Sequence, residues 1–442
     1  MTETATTTRG WQLFRQAARR IPGGTQLLSK RPNLYLPEGW PCYYQKARGV
    51  EIVDLDGRTW IDMSMMGIGA CVLGYADPEV DEAVRAAVDS GVACTLNAPE
   101  EVELAELLIE LHPWAQMVRY ARAGGEAMAI AVRIARAHTG RDKVAICGYH
   151  GWADWYLAAN LGEDSSLDEH LMPGLQPSGV PRSLAGTTLA FHYNRIEEFR
   201  KIVAEHSSEL GVIVMEPQRG QEPAPGFLEE IRETATRIGA VLVFDEITTG
   251  FRMTNGGVHL LTGVLPDIAV FAKAIANGYA MSAILGRQEV MQAAQSTFIS
   301  STNWTERIGP VAALATIRKL RRENVTDHLS EIGNQVLEGW RDAAAGAGIT
   351  VEAGGHASLS HFAFKHKDEP VLTTLFTQLM MDRGFLAYNQ FKPSYSHTSE
   401  HVRSYVIAVR EAFEVLANAL ARGNTLDLLR GPVAQRGFYR LA

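Results

Sequence analysis

The segment AVLVFDEITTGFR, Ala240–Arg252, opens with an unbroken apolar run and continues into acidic, hydroxyl and small side chains. A strand with one wet face alternates apolar with polar residues; an unbroken run is what a parallel strand covered on both faces requires. Two similar runs, Val212–Met215 and Ile268–Ala272, lie on either side of it. A helical pattern over Leu228–Ile238, entered through Pro225-Gly226, separates the first two. Strand and helix in alternation predict an α/β sheet with helices on both faces. Met117–Ala121 and Lys143–Cys147 read as further strands, and Ala127–Ala137 as a further helix.

The two ends of the chain differ from this middle. VEIVDLDGRTWIDMS (50–64) predicts a hairpin around Asp56-Gly57. The C-terminal part mixes helices at about 307–322, 325–346 and 400–421 with short strands such as Ser358–Phe364. The expectation is a large α/β domain over 66–305 and a smaller α+β domain built from both ends, 1–65 and 306–442.

Composition narrows the function. The 442 residues are 46% apolar and 21% charged with a net charge of -8, which fits an ordered protein and excludes a phosphate-tracking nucleic-acid binder. No apolar run reaches the length of a membrane span, and the polar start MTETATTTRG lacks a signal-like core, so a cytoplasmic location is expected. Cys42, Cys71, Cys94 and Cys147 form no CxxC pair, so neither a zinc knuckle nor a disulfide framework is expected, no metal is assigned, and the four read as buried small residues. There is no GxxxxGK(S/T) or HExxH, and Gly67-Ile68-Gly69 does not complete GxGxxG because position 72 is Val. A nicotinamide-dependent reductase or a non-catalytic α/β binding protein thereby loses its main sequence support.

What remains is a dispersed set of residues. Asp245 and Glu246 follow a buried strand, where open α/β sheets bind ligands, although turn capping accounts for many such acids. Lys273 ends the next strand among Ala and Phe, in a chain with nine lysines against thirty-three arginines. Such a setting lowers the amine's affinity for its proton and makes it usable as a nucleophile; standing alone it would read as a lysine snorkelling from a strand end. Gly124-Gly125 opens a helix whose free N–H groups suit a phosphate. Tyr149-His150-Gly151 follows another strand and places an aromatic ring near the same crevice.

Taken together these residues resemble the class III aminotransferases, enzymes of fold type I that use pyridoxal 5'-phosphate (PLP). The resemblance runs from IPGG (21–24) through LGYADPEV (73–80), GGEA (124–127), Glu216-Pro217, FDEITTGFR (244–252) and FAKAIANG (271–278) to SHT (396–398). It implies a large domain with a mostly parallel seven-stranded sheet. Lys273 would form the Schiff base with the cofactor and move the substrate proton, and Asp245 would pair with the pyridine nitrogen. Tyr149 and Ile247 would face the two sides of the ring, Gly124 and Gly125 would hold the phosphate, and Glu216 would support the cofactor site. Many relatives have Ser-Gly-Thr where Ala123-Gly124-Gly125 stands, so one hydroxyl contact is missing. Thr302, in ISSTNWTERIGP, matches a threonine that reaches the phosphate of the neighbouring subunit, which implies a homodimer with shared sites.

Within the family the pattern is nearest the glutamate-1-semialdehyde aminomutase group and its amino-sugar relatives. The aminomutase's carboxylate-holding Ser and Arg are replaced by Leu27 and Lys30, its site Trp by Ile68, and its Gln-Phe-Glu by Gln390-Phe391-Lys392. Exchanging a guanidinium and an indole for Leu, Lys and Ile argues against the same small substrate. GTQLLSK and STNWTER resemble the oxo-sugar aminotransferases, including those of aminoglycoside biosynthesis, which implies transfer from an amino acid such as L-glutamate to a sugar aldehyde or ketone. An intramolecular aminomutase is the alternative. Arg252 and Lys392 are candidates for the donor's carboxylates, Arg252 being equally readable as a structural residue of the TGFR turn, and Gln221 is a candidate for the cofactor's 3'-oxygen.

Overall fold

The computed structural model describes residues 8–162, 165–170, 173–218 and 220–437. The chain forms two compact units, one of Pro78–Thr326 and one of the chain up to Asp77 with Asp327–Arg436.

The first unit is built on a seven-stranded sheet. Its strands, in chain order, are β1 Met117–Ala121, β2 Lys143–Cys147, β3 Thr188–Ala190, β4 Leu210–Met215, β5 Val241–Asp245, β6 Ile268–Phe271 and β7 Ser282–Gly286. They lie side by side as β1-β7-β6-β5-β4-β2-β3. Only β7 runs against its neighbours; it pairs antiparallel with both β1 and β6. Along β2, β4 and β5, alternate residues enter two different cores. Val144, Ile146, Val212, Val214, Val241 and Val243 pack with helix α1, Gly124–Thr139. Ala145, Ile213, Leu242 and Phe244 pack with Phe227, Leu228 and Ile231 of helix α2, Phe227–Ile238. Both faces are covered, and that is why the strands carry no polar alternation. Each such aliphatic side chain contributes about 1.5–3 kcal/mol on leaving water.

The second unit joins chain ends. Tyr44–Arg48, Glu51–Asp54 and Thr59–Asp62 form an antiparallel meander, and Phe385–Leu386 adds to it in parallel. The turn between the second and third strands is set by Asp54, whose Oδ1 accepts the N–H groups of Asp56 (2.9 Å) and Arg58 (3.0 Å), and by Gly57 at φ +83°. A separate three-stranded sheet, Val351–Gly354, Ser360–Phe364 and Gln390–Phe391, shares a core with three helices through Trp340, Phe362, Phe376, Tyr405 and Phe413.

The boundaries between units fall later than 65 and 305. Residues 66–77 stay with the terminal unit because Gly49 and Tyr75 exchange two backbone hydrogen bonds and Ser396 Oγ donates to Leu73 O at 2.8 Å. Helix Ile308–Arg322 stays with the sheet unit, flanked by the Arg307–Glu100 (2.6 Å) and Arg322–Glu79 (2.7 Å) ion pairs. Among residues 66–77, Met66, Gly67, Ile68 and Gly69 all have positive φ (43°, 64°, 61° and 82°). A β-branched residue held there costs about 1–3 kcal/mol. Tyr75 anchors the turn: its hydroxyl donates to buried Asp62 Oδ2 at 2.6 Å and accepts from Gly67 N at 3.1 Å.

The cysteines depart from expectation. None is disulfide-bonded, but only Cys147, in a central strand, is buried; Cys94 is exposed in the loop that follows helix Pro78–Asp89. No helix among the described residues is long and apolar enough to cross a membrane.

Candidate active site

The carboxyl ends of the parallel strands and the amino end of antiparallel β7 share one edge of the sheet. The candidate residues leave the strands along this edge: Ala123–Gly125 after β1, Gly148–Trp152 after β2, Glu216 after β4, Asp245 ending β5 and Lys273 after β6. Asp245 and Val270 are register partners, so the acid and the lysine start from neighbouring strands.

Asp245 is 4% exposed. Its Oδ1 accepts the Ile247 N–H at 3.0 Å, and its Oδ2 lies 2.9 Å from Nδ1 of His150, which is fully enclosed. Lys273 is half-buried at φ +50°, and its Nζ donates to Thr248 Oγ1 at 2.9 Å. The same turn therefore serves both: Ile247 bonds to the acid and Thr248 holds the amine. Glu246 points the other way, fully buried. Its Oε1 accepts from His259 Nδ1 (2.8 Å), and Trp114 Nε1 donates to His259 Nε2 (2.9 Å), which fixes His259 as the neutral Nδ1–H form. Burial works against the Glu246 charge, but the donors His259 and Thr249 outweigh it and hold the carboxyl below the usual range. Glu246 is a fixture of the turn.

Tyr149 follows Gly148, where a Cβ would fall 2.7 Å from Glu216 Oε2. Glu216 is buried and accepts the Tyr149 N–H at 3.2 Å, so it positions the aromatic turn. Burial pushes the neighbouring Cys147 thiol well up, leaving it neutral.

Helix α1 starts at Gly124 with Ala123 as its N-cap, which has no oxygen to offer, so the first N–H groups lack a side-chain cap. Three close approaches bring these segments together, and at Gly151 the neighbour is backbone, which requires glycine. A Cβ on Gly124 would lie 2.9 Å from Ile247 Cδ1, one on Gly125 3.1 Å from the indole of Trp152, and one on Gly151 (φ +102°) 2.8 Å from Gly125 Cα. The helix start, the Tyr149–Trp152 turn and Ile247 thus make one contiguous surface with Asp245. It offers what a phosphate-bearing aromatic aldehyde with a basic ring nitrogen requires: uncapped helix N–H groups, an enclosed carboxylate and an amine. The donor set fits that group.

Gly124, Gly125, Tyr149, Glu216, Asp245, Ile247 and Lys273 are brought together on this edge. Thr302 stands apart as an exposed residue opening the turn Thr302–Thr305, whose neighbours Trp304 and Glu306 accept from Arg122 through their carbonyls at 3.0 and 2.7 Å. Arg252 is 0% exposed, and Gln221 lies on the surface. Leu27, Lys30, Ile68 and Lys392 belong to the terminal unit. Sequence reasoning assigned no part to His150, Thr248 or Trp152; only the Tyr-His-Gly turn pointed toward the first. Among the described residues there is no cluster of metal-ligating side chains.

Comparison with known proteins shows the family and the fold. The family model Aminotransferase class-III matches residues 37–367. The chain is 32% identical to 3-aminobutyryl-CoA aminotransferase of Cloacimonas acidaminovorans (strain Evry), covering 93% of this chain and 98% of that one. It is 33% identical to glutamate-1-semialdehyde 2,1-aminomutase of Geotalea daltonii, covering 92% and 99%. Among solved structures, the PLP form of the FumI protein of Sphingopyxis sp. MTA144 superposes with a TM-score of 0.84 at 25% identity over 93% of this chain and 97% of that one.

Proposed function

The chain belongs to the class III aminotransferases, PLP-dependent enzymes, and from that premise we propose that it moves an amino group from L-glutamate to an aldehyde or ketone of an oxo-sugar. The observation that carries the catalytic part is the shared turn, in which Ile247 bonds to Asp245 and Thr248 holds the Lys273 amine.

When bound, PLP supplies an electron-withdrawing ring that weakens the C–H bond at the amine-bearing carbon. Lys273 Nζ would anchor the cofactor, and its free amine would take the proton from the substrate carbon and return it. Asp245 keeps a proton on the ring nitrogen by charge pairing in an enclosed setting. Tyr149 and Ile247 hold the two faces of the ring, and the Gly124 and Gly125 N–H groups take the phosphate. Glu216 acts through Tyr149, whose turn it fixes. Thr302 gives its hydroxyl to the phosphate of a second copy, so the working form is a homodimer.

The sugar acceptor rests on GTQLLSK and STNWTER and on the replacement of the aminomutase's carboxylate-holding residues by Leu27 and Lys30. A second reading is favoured by the similarity to a 3-aminobutyryl-CoA aminotransferase, whose named substrate carries its amine β to an acyl group. The test has two stages. Purified protein should be yellow, bleach with borohydride, and lose both properties in Lys273→Ala; a colourless protein that takes up no PLP refutes the assignment of Lys273. L-Glutamate without acceptor should then release one equivalent of 2-oxoglutarate per site, which an aminomutase would not do, and a panel of oxo-sugars and 3-oxoacyl compounds separates the two acceptors.

A further inference from the structure

The start of helix α1 has main-chain donors and no side-chain donor of its own. Ala123, Gly124 and Gly125 carry no polar atom beyond the backbone. Glu126, the acid of the first turn, is turned back on the chain: its Oε2 accepts the Arg122 N–H at 2.9 Å and the Ala123 N–H at 3.4 Å. The Arg122 guanidinium is engaged as well, pairing with Glu306 Oε1 at 3.0 Å and donating to the carbonyls of Trp304 and Glu306. A phosphate here would carry close to two charges and meet only the helix dipole and N–H groups.

Trp152 borders this start. The Cβ position of Gly125 lies 3.1 Å from both Cδ1 and Nε1 of its indole, and the next nearest atom is Gly151 Cα at 3.7 Å. The other three pyrrole atoms are therefore farther off, so the ring meets that point with its Cδ1–Nε1 edge, which carries the N–H, and not with its face. A Cβ stands about 2.5 Å from its own backbone nitrogen, so Nε1 lies within about 5.6 Å of the Gly125 nitrogen. Two donors that bond one oxygen at about 2.9 Å each can stand up to about 5.8 Å apart. One oxygen can thus take both N–H groups. The indole is 72% exposed, and its N–H donates to no described residue. Such a group donates and never accepts, so its partner is an acceptor. Gly151, at φ +102° with its Cβ position 2.8 Å from Gly125 Cα, packs this turn against the helix and fixes where the indole begins.

We propose that Trp152 is a cofactor-binding residue whose indole N–H donates to the phosphate of PLP, standing in the volume that a side chain at position 125 would fill. The inference deepens the reading that the Gly124 and Gly125 N–H groups take that phosphate, and rests on it. The indole adds a directed donor without adding a counter-charge. Inorganic phosphate meets the same three N–H groups and competes with PLP.

Equilibrium dialysis of the cofactor-free protein compares PLP with pyridoxal, which lacks the phosphate, in the wild type and in Trp152→Phe, which keeps an aromatic ring and removes the N–H. The variant should hold PLP about tenfold more weakly, as for the loss of one hydrogen bond to a charged group, and pyridoxal within about twofold of wild type. The inhibition constant of inorganic phosphate against PLP should also rise about tenfold. In heteronuclear NMR spectra of indole-labelled protein, the Trp152 cross-peak, identified by its absence from Trp152→Phe, should move downfield on addition of inorganic phosphate. Equal weakening of PLP and pyridoxal marks a packing role and overturns the proposal, as does an unmoved cross-peak. A wild type that prefers PLP to pyridoxal, with the preference kept in Trp152→Phe, refutes the part given to Trp152 alone. A wild type that holds PLP no better than pyridoxal refutes the phosphate reading beneath it, and the proposal with it.

Discussion

Gly151→Ala tests whether the aromatic turn and the helix start form one surface. Gly151 sits at φ +102°, and a Cβ there would be 2.8 Å from Gly125 Cα, a backbone atom that cannot swing aside. Gly140, at the end of α1, has φ +65° with nothing within 4 Å of its Cβ position. Placing an L-residue at positive φ costs about 1–2 kcal/mol at either site. Overpacking adds about 1–3 kcal/mol, and only at Gly151. Gly151→Ala should therefore lose roughly 2–5 kcal/mol and Gly140→Ala roughly 1–2 kcal/mol. Urea unfolding of the cofactor-free variants measures the difference. Because relief of the clash must separate the turn from the helix start, PLP affinity, followed by tryptophan fluorescence, should weaken by about tenfold or more in Gly151→Ala and not in Gly140→Ala, tenfold being about 1.4 kcal/mol. Equal stabilities within about 0.5 kcal/mol and wild-type PLP affinity for both would refute the reasoning.

Asp245→Asn should retain PLP but lose kcat by on the order of a hundredfold, since a neutral amide does not hold the ring nitrogen protonated; unchanged turnover in a steady-state assay rules out that role. Stability should fall as pH drops from about 6.5 to about 4. Burial lowers His112 and His397 to about 4 in the fold, so between those values the unfolded chain binds protons that the folded chain does not. Their contribution is complete above the unfolded value and lost as pH falls through the folded one, roughly 3 kcal/mol for each. Urea midpoints at pH 7 and pH 5 should differ, and His397→Asn should reduce the difference; an equal slope in the variant would count against that source.

Much of the sheet was legible from the chain itself. The run at Lys143–Cys147 coincides with β2, because a strand covered on both faces leaves an apolar block, and Met117–Ala121, though partly exposed and carrying Arg119, coincides with β1. Ser282–Gly286 went unread: SAILG is short, begins with Ser and ends with Gly, and it owes its strand state to the antiparallel bonds offered by β1 and β6. Thr188–Ala190 is too short to show a period. In the site, Asp245, Lys273 and the glycine pair stand out because each is chemically unusual for its place. His150 did not, since its role comes from a partner far along the chain. Arg252 reads equally as a donor contact or as a structural residue of the TGFR turn, and its burial favours the turn; side-chain direction after a strand end is set by packing that no local pattern encodes.

The parallel pairing of Phe385–Leu386 with Thr59–Asp62 sets a timetable for biogenesis. Arg58, beside that strand, donates to the carbonyl of Met381, 323 residues later. At about 5–20 residues per second of synthesis, the N-terminal meander waits roughly 15–65 s on the ribosome for its fourth strand. The seven-stranded sheet is complete in the nascent chain before then, so it has time to mature first while the early strands, with Trp60, keep an unpaired edge at Thr59–Asp62.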